Sequence, residues 1–240
     1  MNTDVISWLL VAVLVVVLIA IFARFRPAKT QQISDRLYVA RCMIVNFYAV
    51  RTSAGVVLFD TGTGAAAARS ELQKLGIGAD EVTYVFLTHS DYDHAGGLDA
   101  FANASRYLSS AEKQMIDGST ARQLFRHNKR IKVDYLMQDG ETVTLGDTTI
   151  QAVLCPGHTP GSTTYIVDGR LLFSGDLLRL SRGGAYLPFF RMMNMNHRQD
   201  IASIAAMRPR LEQAEYIMSG HTGYRQQSRQ GSLGGGGGGG

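Results

Sequence analysis

Hydrophobic and polar positions divide this chain into three unlike stretches. Residues 5–23 read VISWLLVAVLVVVLIAIFA, with no charged residue and no polar face, about the length a helix needs to cross a bilayer core. Beyond residue 36 the pattern changes to short apolar runs separated by turn residues. Runs rich in β-branched and aromatic residues predict strands at 37–40, 43–51, 56–60, 82–88 and 106–109, with helices at 65–75 and 110–117. The second half repeats the theme. Strands at 142–145 and 148–154 flank a Gly146-Asp147 turn, and strands at 163–167 and 171–174 flank Asp168-Gly169. A helix is expected over 201–211 and a last strand over 216–219. Residues 226–240 are mostly Gln, Ser, Arg and Gly, and read as a disordered tail.

Strands with helices at intervals, in two similar halves, predict a layered α/β sandwich. The expected organisation is a transmembrane anchor at 1–26, a polar linker at 27–36, a catalytic domain at 37–225 and the Gly-rich tail at 226–240. Trp8 suits an interfacial position, and Asp4 without a basic start argues against a signal peptide. Arg24, Arg26 and Lys29 follow the apolar run and no Lys or Arg precedes it. The positive-inside bias then predicts a single-pass protein of the cell membrane with its domain in the cytoplasm.

Composition narrows the classes. A hydrophobic share of 45% excludes a disordered protein, and two cysteines exclude a disulfide scaffold. The net charge of +4 is mild. The one basic stretch, 122–130, is short and reads as a solvated helix face, so no nucleic-acid partner is expected.

The chemistry concentrates after the strand at 82–88. A G-x-G-x-x-A run at 62–67 lacks the acidic residue that would hold a ribose, because His89 stands at the end of the next strand. There is no phosphate loop and no nucleophile elbow. In THSDYDHAGG at 88–97, His89, Asp91, Asp93 and His94 stand where one loop can turn them toward a point. Imidazole with carboxylate suits zinc, iron or manganese. Further candidates close other strands: His158 in CPGHTPG, Asp176 in LFSGD and His221 in MSGH. His127 and His197 lack partners at ligand spacing and read as surface or packing residues. Cys155 reads as a buried strand-end residue.

This order and spacing resemble the metallo-β-lactamase superfamily, whose signature is H-x-H-x-D-H followed by a His, a bridging Asp and a last His. The resemblance spans about 37–224 and implies a four-layer αββα sandwich with metals at one edge. It implies that His89 and His158 bind one metal, that Asp93, His94 and His221 bind a second, and that Asp176 bridges. Asp93 and His94 then carry the catalytic role. The early LFDTG resembles a family motif in which Asp60 supports the ligands. Asp91 departs from the pattern, standing where the signature has its second His. It remains a competent ligand, but a harder one. Zinc stays the first choice among divalent ions, with iron or manganese favoured by that carboxylate.

The implied activity is hydrolysis of an ester, thioester, lactone or phosphodiester by water activated between two divalent ions. Two other readings stay open: a di-iron redox protein with a separate electron donor, and a non-catalytic metal-binding module. The segment 179–195 mixes Tyr186, Phe189, Phe190, Met192 and Met193 with Arg179, Arg182 and Arg191. It reads either as a lid for a small acyl or lipid-like substrate or as a loop packed on the sandwich, the second being favoured. Tyr224, near His221, is placed to reach an oxyanion.

Overall fold

The computed structural model describes residues 3–227, apart from the side chains of 3–5, 14 and 17–22. The chain opens with a 20-residue helix, α1 (Thr3–Phe22). Among the described residues no helix is long and apolar enough to cross a membrane. Of the anchor expected at 1–26, residues 1 and 2 and the side chains of 3–5, 14 and 17–22 lie outside the described residues, as does the tail beyond 227.

Seven strands form the first sheet: β1 (Gln31–Gln32), β2 (Leu37–Cys42), β3 (Val45–Thr52), β4 (Gly55–Phe59), β5 (Val82–Phe86), β6 (Ser105–Ser109) and β7 (Tyr135–Met137). They pair in chain order, antiparallel as far as β4 and parallel thereafter. Helix α2 (Ala65–Gln73) makes the first parallel crossover, and α3 (Tyr92–Ala95) and α4 (Lys113–Ile116) are single turns. The second half contributes β8 (Thr142–Leu145), β9 (Thr148–Leu154), β10 (Thr163–Val167) and β11 (Leu171–Phe173). A small hairpin follows, β12 (Leu178–Leu180) with β13 (Tyr186–Pro188), then α5 (His197–Gln213), β14 (Tyr216–Ser219) and β15 (Gly223–Gln226). The second sheet runs β15-β14-β11-β10-β9-β8.

Alternation along the strands generates the layers. In β4, Val57 and Phe59 face the second sheet while Val56 and Leu58 face α2. Aromatic rings fill the space between the sheets, with Phe59 stacked on Phe173 at 3.7 Å between centroids. On the far side, Met207 and Leu211 of α5 pack on Leu172 and Ile217. Helix, sheet, sheet and helix therefore enclose three apolar layers, which is the αββα sandwich expected.

The differences from expectation lie in short elements. Strands β1, β7, β12, β13 and β15 are too brief to leave a periodic signal. The linker at 27–36 contributes β1 and is pinned to the domain through Asn46, whose side chain accepts from Ala28 N and donates to Ala28 O. Strand β15 runs to Gln226, the first residue of the expected tail. The basic stretch 122–130 is not a helix. It turns back through a Gln123–Arg126 bridge, because Arg122 is drawn inward while Leu124 and Phe125 stay exposed.

Candidate metal centre

The histidines and carboxylates singled out in the sequence meet at one edge of the sandwich. His89 follows β5, and Asp91 stands just before the short helix that carries Asp93 and His94, without capping it through its side chain. His158 leaves the loop between β9 and β10, Asp176 follows β11, and His221 lies in the turn between β14 and β15. His89, His158 and Asp176 offer ligand atoms within 4.8 Å of one another, and so do Asp93, His94 and His221. Asp176 joins the two groups: its Oδ1 lies 3.4 Å from His94 Nε2, while its Oδ2 lies 3.5 Å from His158 Nε2 and 3.3 Å from His221 Nε2. Asp91 Oδ2 is 3.2 Å from His158 Nε2 and 3.7 Å from His89 Nε2.

Each imidazole is oriented through its Nδ1. His221 Nδ1 donates to the Ile44 carbonyl at 2.7 Å, and His94 Nδ1 to Asp60 Oδ2 at 2.8 Å. His158 Nδ1 faces Asn194 Oδ1 at 3.1 Å. Thr88 Oγ1 donates to Asp60, so toward His89 Nδ1, 3.0 Å away, it can only accept. With Nδ1 carrying the proton in all four rings, every neutral imidazole turns an Nε2 lone pair inward. Asp60 is therefore a support for His94, as the resemblance implied.

Two observations say that this cluster suits a cation. His89 Nε2, His94 Nε2 and Asp176 Oδ1 are buried with no hydrogen-bond partner among the described residues, a state that costs free energy unless something else occupies them. The donor spacings match as well, since ligands about 2.1 Å from a common tetrahedral ion lie about 3.4 Å apart. The charge balance agrees. Burial alone would lower the pKa of His94, yet Asp176, Asp60 and Asp93 together hold it well above the ordinary imidazole value. Burial likewise opposes protonation of His221, but Asp176 and Asp93 lift it to about 9. His89 goes the other way: burial, then the charge of His94, takes it well below the ordinary value. The surplus of carboxylate draws protons onto some rings where a divalent cation would serve better.

Two supports were not foreseen. Arg122, buried, donates from Nε to both oxygens of Asp91 at 2.8 and 2.9 Å, and from Nη2 to the Met193 carbonyl at 2.7 Å. Burial works against ionisation of Asp91, but His158, His89 and Arg122 hold its carboxyl well below the usual range. Glu112 is fully buried and braces two loops, accepting from Ser90 N, Ser90 Oγ, Thr159 Oγ1 and Gly161 N. A side chain at Gly161 would put its Cβ 2.1 Å from Glu112 N. Neither residue sits in a motif. Arg122 opens the basic stretch read as a solvated helix face, and Glu112 lies in the helix expected over 110–117, so neither reading pointed inward.

The cluster opens into a cavity of about 790 Å³ whose walls include Phe25, Tyr92, His127 and Phe189. Phe189 is buried with its ring edge-on to His158, so the 179–195 segment both packs on the sandwich and walls the centre. His127 is an exposed residue at the cavity rim, and His197 contacts Asn194, the partner of His158. Tyr224 does not serve the centre: its hydroxyl accepts from Gln31 on β1, and its ring packs on the inter-sheet core. Cys155 is buried, and burial pushes its thiol up to about 11, which leaves no thiolate for nucleophilic chemistry.

Comparison with known proteins agrees with this geometry. The family model of the metallo-β-lactamase superfamily matches residues 40–225. A probable polyketide biosynthesis zinc-dependent hydrolase of Bacillus subtilis is 34% identical over 99 residues, covering 40% of this chain and 39% of the relative. An acyl-coenzyme A thioesterase of Homo sapiens is 27% identical over 177 residues, covering 61% of this chain and 63% of the relative. The chain thus spans less than two thirds of either relative. A B3 metallo-β-lactamase with an active-site glutamic acid superposes with a TM-score of 0.65 at 23% identity, covering 85% of both chains, a likeness of fold alone. Sandwich, ligand geometry and family match lead to one assignment: the chain belongs to the metallo-β-lactamase superfamily.

Proposed function

We propose that the protein is a membrane-anchored, metal-dependent hydrolase of a small acyl substrate, an ester or thioester in the first place, with a lactone or phosphodiester as the wider class. The observation that carries this reading is the convergence of four imidazole Nε2 atoms and the carboxylates of Asp91, Asp93 and Asp176 at one edge of the sandwich beside a cavity, with three of their polar atoms orphaned among the described residues. His89, His158, Asp91 and Asp176 would hold one divalent ion, and Asp93, His94, His221 and Asp176 a second, with zinc first and iron or manganese as alternatives. Bound there, such ions acidify water and polarise a carbonyl or phosphoryl oxygen.

The chain's own residues supply position and proton handling. Asp60, Ile44, Asn194 and Thr88 fix the imidazoles in the tautomer that points Nε2 inward. Asp93 has the most open side chain of the three carboxylates, 31% exposed against 17% for Asp91 and 4% for Asp176. It is placed to orient the attacking water and take up its proton. Phe189 and Phe25 cover the histidine faces and limit bulk water. The named activities of the relatives, thioester and other hydrolyses, favour this reading over a redox or purely binding role.

Anchoring rests on the uncharged run at 5–23 and on α1, whose described side chains are all exposed, Trp8 at 74% and Leu10 at 66%. The basic flank favours a cytoplasmic domain. Full-length protein is to be assayed for metal content and for hydrolysis of an ester and thioester panel. About two zinc ions per chain and turnover lost on His94→Ala are expected. Two irons with oxygen consumption would favour the redox reading, and undiminished turnover by His94→Ala would overturn the proposal.

A further inference from the structure

A second cavity, of about 410 Å³, lies where α1 meets the domain, and it is lined by Arg24, Arg26, Arg179 and Arg182. No Asp or Glu is among its lining residues. Four guanidinium groups gathered without a counter-charge repel one another, and a structure keeps them together only at a cost that an anion removes. Arg179 shows the imbalance: the charges acting on it are those of Arg24 and Arg26, both repulsive.

The walls are tied down. Arg26 Nη2 donates to the Leu180 carbonyl at 3.1 Å, and Arg179 Nε to the Pro188 carbonyl at 3.1 Å. Arg179 also lies over the Phe190 ring at 4.1 Å. Arg225 clamps the β12–β13 turn by donating to the Ser181 and Gly184 carbonyls. Arg24 and Arg182, by contrast, are exposed and have no hydrogen bond or carboxylate partner among the described residues. Two fixed and two free guanidinium groups around a small hollow suit an oxyanion with several acceptor oxygens.

The hollow adjoins the metal cavity. Arg24 and Arg26 flank Phe25, which packs on His221 at 4.8 Å and on Phe190 at 5.3 Å, and Arg26 N donates to the His221 carbonyl at 2.8 Å. A group held by the arginines would therefore have its substituents near Phe25, which walls the metal cavity.

We propose that this arginine-lined cavity is a phosphate-binding site, taking the phosphate of a lipid headgroup or of a soluble phosphate. The proposal does not rest on the hydrolase reading. Full-length protein in a neutral detergent, stripped with EDTA so that no metal captures phosphate, is titrated calorimetrically with inorganic phosphate and with a soluble short-chain phosphatidylglycerol. The same titrations are run on Arg24→Gln/Arg182→Gln, a double variant of exposed residues whose fold is checked by circular dichroism. Saturable binding that weakens at least about tenfold in the variant is expected. Phosphatidylglycerol binding about tenfold tighter than phosphate assigns the site to a headgroup; equal or tighter phosphate binding assigns it to a soluble ligand. No saturable binding of either, or binding unchanged in the variant, overturns the proposal. Metal content and hydrolysis are measured apart from these titrations, so failure here leaves the hydrolase reading standing.

Discussion

Arg122 grips Asp91 with one nitrogen: Nε lies 2.8 Å from Oδ1 and 2.9 Å from Oδ2, while Nη2 reaches His158 Nε2 at 3.1 Å. The resemblance has an imidazole where Asp91 stands. A carboxylate there adds a negative charge, and the buried guanidinium cancels it, so the pair presents the same net charge as a neutral histidine.

Removing one member of that pair leaves a largely buried charge. Arg122→Ala is expected to lose about 3 kcal/mol of stability in the metal-free protein, at the low end for a broken buried pair because Asp91 keeps some solvent contact. Arg122→Ala/Asp91→Asn should recover part of the loss. Urea unfolding checks both; a single variant within about 0.5 kcal/mol of the parent would show that the pair is not a unit.

Asp60 reaches the centre directly through His94 and, by way of Thr88, through His89. Asp60→Asn replaces the acceptor that holds His94 Nδ1 at 2.8 Å, and metal affinity is expected to fall about 10–100-fold. Competition with a chromogenic chelator measures this directly. Unchanged affinity would mean that the ring is oriented by packing alone.

The thiols are expected to be silent. Cys42 and Cys155 are both buried, and burial raises both thiols. Native protein at pH 7.5 should react with a thiol reagent only as it unfolds, and Cys155→Ser should keep its turnover. Rapid labelling of the folded protein, or loss of turnover in that variant, would reopen a thiol mechanism.

Asp200 gives a pH signature. It is fully buried in the first turn of α5, and burial pushes its pKa from 3.8 up to about 7. The folded state then binds the proton more tightly than the unfolded state. Its contribution is present below pH 3.8 and is lost as pH rises through about 7. Asp200→Asn should flatten that decline, so its stability relative to the parent rises between pH 4.5 and 8. Parallel stability curves for the two proteins would refute it.

The long strands, α2 and α5 were legible in the chain because each carries enough apolar positions to show its period. The motif after β5 was legible because its imidazoles and carboxylates are crowded into one short loop, and its partners each close a strand. Those features are local, so the sequence by itself determined the sandwich, the ligand candidates and the family resemblance. Tertiary structure decided the rest. Arg122 meets Asp91 across 31 positions, and Glu112 reaches Gly161 across 49. No periodicity marks a contact between two loops. The same holds for the arginine hollow, which joins the end of α1 to a hairpin far along the chain, and for Tyr224, which its strand pairing carries away from the metals. Local pattern records which face a residue turns, but only folding sets which distant side chain waits there.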